Sequence, residues 1–312
     1  MIKSSKALCL PSKRSVKRWT NNIRIGPGLN RTIFEKLKQK ANNLSEKDRV
    51  VIIAMDGMKI KSSLCYTAKN DTFHGFPDTG AKIKVEKNSP QRLASEAVTV
   101  MMRGVFSNLK QGLGYFLTQN TLGSEQQLEI VKAVIRRVRE AGFFPKVLAM
   151  DQFATNIKMA KEAGARSETP YFSVDGERVY VMWDSPHLMK NARNMLKKCN
   201  AVFDGQIASF DDIEQLYAVD SVSNPRLAPR LTEKHIILPP FSPMNVSMAA
   251  RTLSESVAAT LRYYSDSGEL PQRAKETANF VAMIDKLFDT FNTRQKRCVS
   301  KVRFLTYFVE NR

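Results

Sequence analysis

Apolar and polar positions fall into three regimes along this chain. In residues 31–44, Ile33, Phe34, Leu37 and Ala41 recur at helical spacing, and a shorter helix is expected around 16–23, with Gly26-Pro27-Gly28 turning the chain between them. From Arg49 the period becomes that of a strand. Residues 50–60 read V-V-I-I-A-M-D-G-M-K-I, an apolar run too short for a helix and broken by Asp56 and Gly57, which is the pattern of a buried central strand. Strand patterns follow at 63–67, 98–106 and 114–119, with a Gly/Pro/Asp-rich loop at 70–80. Ser124 then caps an amphipathic helix with Leu128, Val131, Val134, Ile135 and Val138 on one face, and Gly142 stops it. Residues 146–151, K-V-L-A-M-D, again drive an apolar run into a carboxylate, Asp151. A short helix at 156–163, a strand at 179–183 and a helix opened by Asp184-Ser185-Pro186 come next. From Phe210 the pattern is helical, at 210–219, 245–264 and 270–292, with a proline-rich loop between the first two.

Three strands in sequence predict an antiparallel meander, and the crossover helix with its following strand completes an α/β layout. The fold class expected is an RNase H-like mixed sheet, incomplete, followed by a mainly α-helical insertion domain. The boundaries expected are a basic, partly helical segment at 1–47, the first part of the RNase H-like domain at 48–184, the helical domain at 185–293 and a basic tail at 294–312.

Composition narrows the partners. A chain of 312 residues with 43% apolar content can bury a large core, and its net charge of +19 favours a polyanion, nucleic acid first and an anionic membrane surface second. A basic but otherwise ordinary protein is the alternative. Residues 1–47 carry 12 Lys/Arg against Glu35 and Glu46, a pattern shared by flexible arms, nuclear-import signals and phosphate-binding arms. The scattered cysteines Cys9, Cys65, Cys199 and Cys298 contain no C-x-x-C, which excludes a zinc finger within this chain and fits a reducing, intracellular setting. No apolar run approaches a membrane span, so a soluble cytoplasmic or nuclear protein is expected.

Two acid-terminated strands carry the candidate chemistry. Asp56 and Asp151, if brought to one sheet edge, make the arrangement of a two-metal phosphoryl-transfer site, with carboxylates on the order of 4–7 Å apart. A strand-end aspartate receiving backbone N–H bonds in a tight turn at Gly57 explains Asp56 without any metal. Asp184 is a good helix N-cap with Pro186 in the first turn, yet Lys190 and Asn194, four apart, and His187, three before Lys190, give that helix an unusual concentration of donors on one face. By strand position alone Asp184 is also a candidate third metal-binding acid.

These segments resemble the P-element-type DNA transposases and their THAP-associated relatives. The resemblance rests on L-P-S with Trp19 and Pro27-Gly28, D-G-M-K-I-K, A-M-D-Q with Asn156, D-S-P-H-L-M-K-N-A-R-N, L-T-E-K-H-I, P-F-S-P-M-N-V and L-F-D-T-F-N, and runs from about Leu10 to Thr293. It implies an RNase H-like domain interrupted by a helical GTP-binding insertion domain. It also implies that Asp56 and Asp151 hold Mg²⁺ for DNA strand cleavage and joining, and that Asp184, Lys190, Asp289 and Asn292 bind GTP. No G-x-x-x-x-G-K-[ST] sequence is present, so a GTP site here is not a P-loop. DNA, as transposon ends or non-specifically, is the partner implied, with a homo-oligomer on DNA and a nuclear location.

The family's catalytic glutamate and its N-terminal zinc domain have no counterpart motif in these residues. Glu310 is the one acid after Asp289. The expectation is therefore a truncated or decayed transposase-derived protein or a partial gene model, with strand transfer impaired. The alternative is a catalytically inactive DNA- and GTP-binding remnant.

Overall fold

The computed structural model describes residues 11–20, 26–68, 71–80 and 93–292. The end of the helix expected at 16–23, the first residue of the loop expected at 70–80 and the tail at 294–312 lie outside them. The chain divides into two compact units: Met1–Ala149 with Thr155–Ala165 and Tyr171–Val181, and Met150–Ala154 with Arg166–Pro170 and Met182–Arg312.

The first unit begins with α1 (Lys13–Thr20), β1 (Gly28–Leu29) and α2 (Arg31–Ala41). Asn30 starts α2 by accepting the N–H groups of Thr32 and Ile33, and Phe34, Leu37 and Ala41 form its buried stripe. Gly28, expected only as part of a turn, begins the short strand β1 with Leu29. Gly28 has φ +86° and its partner strand carries Gly114, where a Cβ would lie 2.3 Å from the Gly28 carbonyl oxygen. Glycine on both sides is what lets the two backbones approach.

The sheet is built from β2 (Val50–Lys59), β5 (Glu96–Gly104), β6 (Lys110–Thr118), β7 (Phe144–Met150), β8 (Tyr171–Val174) and β9 (Glu177–Trp183), in the order β1-β6-β5-β2-β7-β9-β8. β2, β5 and β6 form the antiparallel meander, whereas β7 runs parallel to β2 after the crossover helix α3 (Ser124–Glu140). A parallel neighbour needs such a crossover. Ile130, Val131, Val134, Ile135 and Val138 of α3 are buried, as is the alternate set Val51, Ile53 and Met55 of β2.

Several expectations are corrected. Gly123, not Ser124, is the N-cap of α3, and Ser124 is its first helical residue. Residues 63–67 do not join the main sheet: β3 (Cys65–Thr67) pairs with β4 (Thr72–His74) in a separate hairpin, turned by Asp71 at φ +49°. The short helix after β7 is α4 (Ala154–Glu162), and β8 has no strand signature of its own in the sequence.

The second unit is mainly helical: α5 (Ser185–Leu196), the hairpin of β10 (Ala201–Phe203) and β11 (Gln206–Ala208), α6 (Phe210–Val222), α7 (Glu233–Ile236), α8 (Val246–Thr252), α9 (Glu255–Asp266) and α10 (Ala274–Asn292). Its core joins Met189 and Leu196 of α5 to Leu216, Leu253, Leu261, Ala278 and Val281. The single helix expected at 245–264 is broken into α8 and α9. Ser254 takes an extended backbone with its hydroxyl donating to the Arg251 carbonyl, and the Asp285 carboxylate caps α9 by accepting the Glu255 N–H at 3.2 Å. Among the described residues no helix is long and apolar enough to cross a membrane.

Candidate DNA-processing and nucleotide sites

Asp56 lies near the end of β2, where burial stops. Met55 is 5% exposed, whereas Asp56, Gly57, Met58 and Lys59 are all exposed. The run is a central strand, but it is buried only as far as Met55, so Asp56 does not meet the desolvation cost that a fully buried strand implied. Its carboxylate has no hydrogen bond or ion pair among the described residues. Its backbone carbonyl accepts the Thr99 hydroxyl at 3.2 Å from across β5.

β2 and β7 are adjacent and parallel, with Ala54 opposite Ala149. Asp56 and Asp151 each lie two residues further along the chain from these alanines. Asp151 is half-buried and accepts the Phe153 N–H at 3.2 Å, a local turn that orients its carboxylate. Among the described residues no group of three Asp, Glu, His or Cys side chains is placed to hold a metal.

Asp184 follows β9, and its N–H donates to the Met150 carbonyl at 2.8 Å. Its carboxylate caps α5 by accepting the His187 N–H at 3.2 Å and meets His187 Nδ1 at 2.7 Å. The capping role is therefore present, and it also removes His187 from the donors on that face. Asn194 is engaged too, accepting Arg193 Nε at 2.8 Å and donating to the Pro243 carbonyl at 3.1 Å.

What remains is Lys190. It is only 8% exposed, yet its ammonium has no hydrogen bond or ion pair among the described residues. Its stem is buried, while the ammonium is not among the buried unpartnered polar atoms and so reaches the solvent.

Sequence reasoning gave no role to Arg193 or Phe241. Arg193 is wholly buried and donates from Nη2 to the Ser242 carbonyl at 3.0 Å, and burial pushes its pKa below the usual arginine range. With Asn194 it clasps the P-F-S-P-M loop, in which Phe241 is 89% exposed at φ +65°. A left-handed backbone at an exposed phenylalanine costs about 1–3 kcal/mol, and such strain persists where the surroundings impose it. The signal available in sequence was the pair of motifs, R-N and P-F-S-P-M, which hydrogen bonds join.

Asp289 is exposed on α10 and lines a cavity of about 460 Å³ with Glu255, Arg262, Asn279, Asp285 and Lys286. The described lining residues come from α9 and α10, so this cavity does not itself contain Asp184 or Lys190. α5 and α10 do pack against each other. Asn292 is the last residue of α10.

An antiparallel meander with a parallel crossover strand, followed in the chain by a mainly helical unit, is the arrangement of an RNase H-like fold with a helical second unit. Residues 25–164 match the family described as TNP-like, RNase H N-terminal domain, and residues 186–302 match the TNP-like, GTP-binding insertion domain. The chain is 26% identical over 304 residues to the human DNA transposase THAP9, covering 93% of this chain and 32% of that protein. It is 22% identical over 292 residues to the Drosophila melanogaster transposable element P transposase, covering 93% and 36%. A solved structure, the Drosophila P element transposase strand transfer complex, superposes with a TM-score of 0.76 at 20% identity, over 93% of this chain and 61% of that one. The chain belongs to the P-element-type, TNP-like transposase family. It spans about a third of the length of the curated relatives it matches.

Proposed function

We propose that this chain is the DNA-processing and nucleotide-binding part of a transposase-type protein. It binds DNA through its basic surface, binds GTP in the block 185–293, and contributes Asp56 and Asp151 to Mg²⁺-dependent cleavage and joining of DNA strands. The register of β2 and β7 carries this reading, since both aspartates come two residues after paired alanines on neighbouring parallel strands.

Two carboxylates fit Mg²⁺, a hard cation commonly held by one or two carboxylates with water and phosphate oxygens completing its shell. When bound, the ion supplies charge stabilisation at the reacting phosphate. Asp56 is the open carboxylate and Asp151 the one pre-oriented by its turn. In the helical block Lys190 pairs with phosphate, Phe241 offers a flat face to the base, and Asp289 and Asn292, three apart on α10, supply acceptor and donor groups. Asp184 acts chiefly by fixing the start of α5. A DNA substrate implies a nuclear location, and bringing two DNA ends together implies more than one copy.

The second reading is a catalytically inactive protein that binds DNA and GTP. The observation favouring it is that no third metal-capable side chain accompanies Asp56 or Asp151 among the described residues. Incubation with labelled DNA, Mg²⁺ and GTP separates the two. Mg²⁺-dependent nicks or joints that vanish in Asp56→Asn and Asp151→Asn support the first reading; binding of both ligands without products supports the second. Failure to bind either DNA or GTP overturns both.

A further inference from the structure

The β3–β4 hairpin stands apart from the main sheet and exposes an unusual set of side chains. Tyr66 and Phe73 face each other across it, with ring centroids 4.9 Å apart, and are 51% and 57% exposed. Leu64 is 50% exposed, Phe76 41% and Met58 57%. A two-stranded hairpin has little stability of its own, and aromatic side chains on it are normally turned toward a core. Here they form an apolar surface open to solvent, of the kind that marks a contact site.

Two cations lead into the hairpin, and the first of them, Lys59, stands opposite Glu96 of β5. Lys59 and Lys61 are exposed on the segment leading into the hairpin. The acid at its tip, Asp71, is tied to the hairpin itself by accepting the Tyr66 hydroxyl at 2.8 Å, which raises the Tyr66 pKa above its usual value. The base of the hairpin is fixed. Gly75, at φ +127°, passes so close to Ser63 that a Cβ would lie 2.3 Å from the Ser63 carbonyl oxygen, and the Gly75 carbonyl accepts the Ala94 N–H at 2.7 Å. The hairpin also follows directly from the strand that carries Asp56, and Lys59 is three residues, about 10 Å of extended chain, beyond that carboxylate.

We propose that this hairpin binds unpaired bases of a DNA end or flap, with Tyr66 and Phe73 as the stacking platform and Lys59 and Lys61 on the phosphates. Aromatic rings interleaved with cations are the means by which proteins hold single-stranded nucleic acid without reading sequence. The proposal rests on the DNA-binding reading above and adds to it a preference for unpaired over fully paired DNA near Asp56. An apolar protein surface is the competing occupant, but it gives no reason for the lysines at the hairpin's foot.

The test uses the whole chain and fluorescence anisotropy with three labelled oligonucleotides: a single strand, a blunt duplex, and the same duplex with an unpaired 3′ flap. The double variant Tyr66→Ala/Phe73→Ala is expected to weaken single-strand and flap binding by about tenfold or more, while blunt-duplex affinity and its salt dependence stay as in the wild type. The conservative variant Tyr66→Phe/Phe73→Trp is expected to retain flap binding, and the flap should quench the indole fluorescence that this variant adds to the hairpin. Because all of these side chains are exposed, an unchanged thermal melt establishes that the variants are folded. Equal affinities of wild type and double-Ala variant for every DNA overturn the hairpin's role while leaving the DNA-binding reading intact. So does a wild-type dimer that the double-Ala variant converts to monomer with no effect on DNA. Absence of binding to any DNA by the wild type overturns both.

Discussion

Substituting Lys190 by methionine separates a ligand-binding lysine from a structural one. The residue is 8% exposed and its ammonium has no hydrogen-bond or ion-pair partner among the described residues, so in the free protein its charge makes no attractive contact that methionine would remove. Methionine keeps a flexible stem of similar length among Met189, Arg193 and the rest of α5, and removes only the charge. Stability should therefore be unchanged or increased, with a melting temperature no lower than that of wild type. GTP binding should behave in the opposite way. Hydrogen bonds to a charged group contribute about 1.5–3 kcal/mol, which is roughly a 10- to 150-fold change in Kd. Titration calorimetry of GTP with and without Mg²⁺, beside a thermal melt, reads both quantities. The reasoning is refuted if Lys190→Met melts several degrees lower with unaltered GTP affinity, because at about 2–4 °C per kcal/mol that shift would mean the ammonium holds the fold together. A parallel Asp289→Ala variant tests the base-reading role: loss in Lys190→Met alone retains the phosphate site and discards Asp289.

Duplex DNA binding by the whole chain should be largely indifferent to sequence and fall steeply with salt, by about 10³- to 10⁵-fold between 50 and 200 mM if six to ten phosphates are contacted; anisotropy that is flat over that range contradicts the electrostatic picture. Asp220 is completely buried and accepts the Leu227 N–H at 2.7 Å, the Ala228 N–H at 3.3 Å and Arg226 Nε at 3.2 Å, so Asp220→Ala should cost about 3–5 kcal/mol in urea denaturation, and a cost under about 1 kcal/mol would mean the loop re-forms without it. His235 is buried at 4% exposure with Nδ1 accepting the Thr232 N–H at 3.1 Å, and burial lowers its pKa below 6.5. The unfolded chain then binds more protons than the folded one as pH falls below about 6.5, so stability present above that value is lost in acid, with a limiting slope of about 1.4 kcal/mol per pH unit. His235→Gln keeps a capping-box residue and should flatten that part of the profile; parallel curves between about pH 7.5 and 5 would remove His235 from the account.

The parts of this protein legible in sequence were those where one local rule decides. β2, β7 and α3 announce themselves because burial on a sheet or a helix stripe repeats at a fixed period, and Asp184 with Pro186 states a helix start outright. What escaped was set by distant backbone. β1 depends on Gly28 meeting Gly114 and Gly80, and β8 is four residues whose strand character comes only from pairing with β9. The break between α8 and α9 turns on a carboxylate, Asp285, thirty residues further along the chain. The burial of Asp56 was misjudged for a related reason: an apolar run shows where a strand is, not where the layer covering it ends.

The same distinction explains why the donors of α5 could not be sorted from the sequence. His187, Lys190 and Asn194 share a helical face by spacing, and spacing ranks them equally. Their hydrogen bonds do not. His187 is taken by the Asp184 cap, and Asn194 with Arg193 is taken by the loop that presents Phe241. The helix thereby uses three of its polar groups, His187, Arg193 and Asn194, to hold its own start and its neighbouring loop, and leaves Lys190 without a hydrogen-bond or ion-pair partner among the described residues. A residue's candidacy as a ligand thus follows from what its neighbours have already bound, and that information resides in side-chain geometry alone.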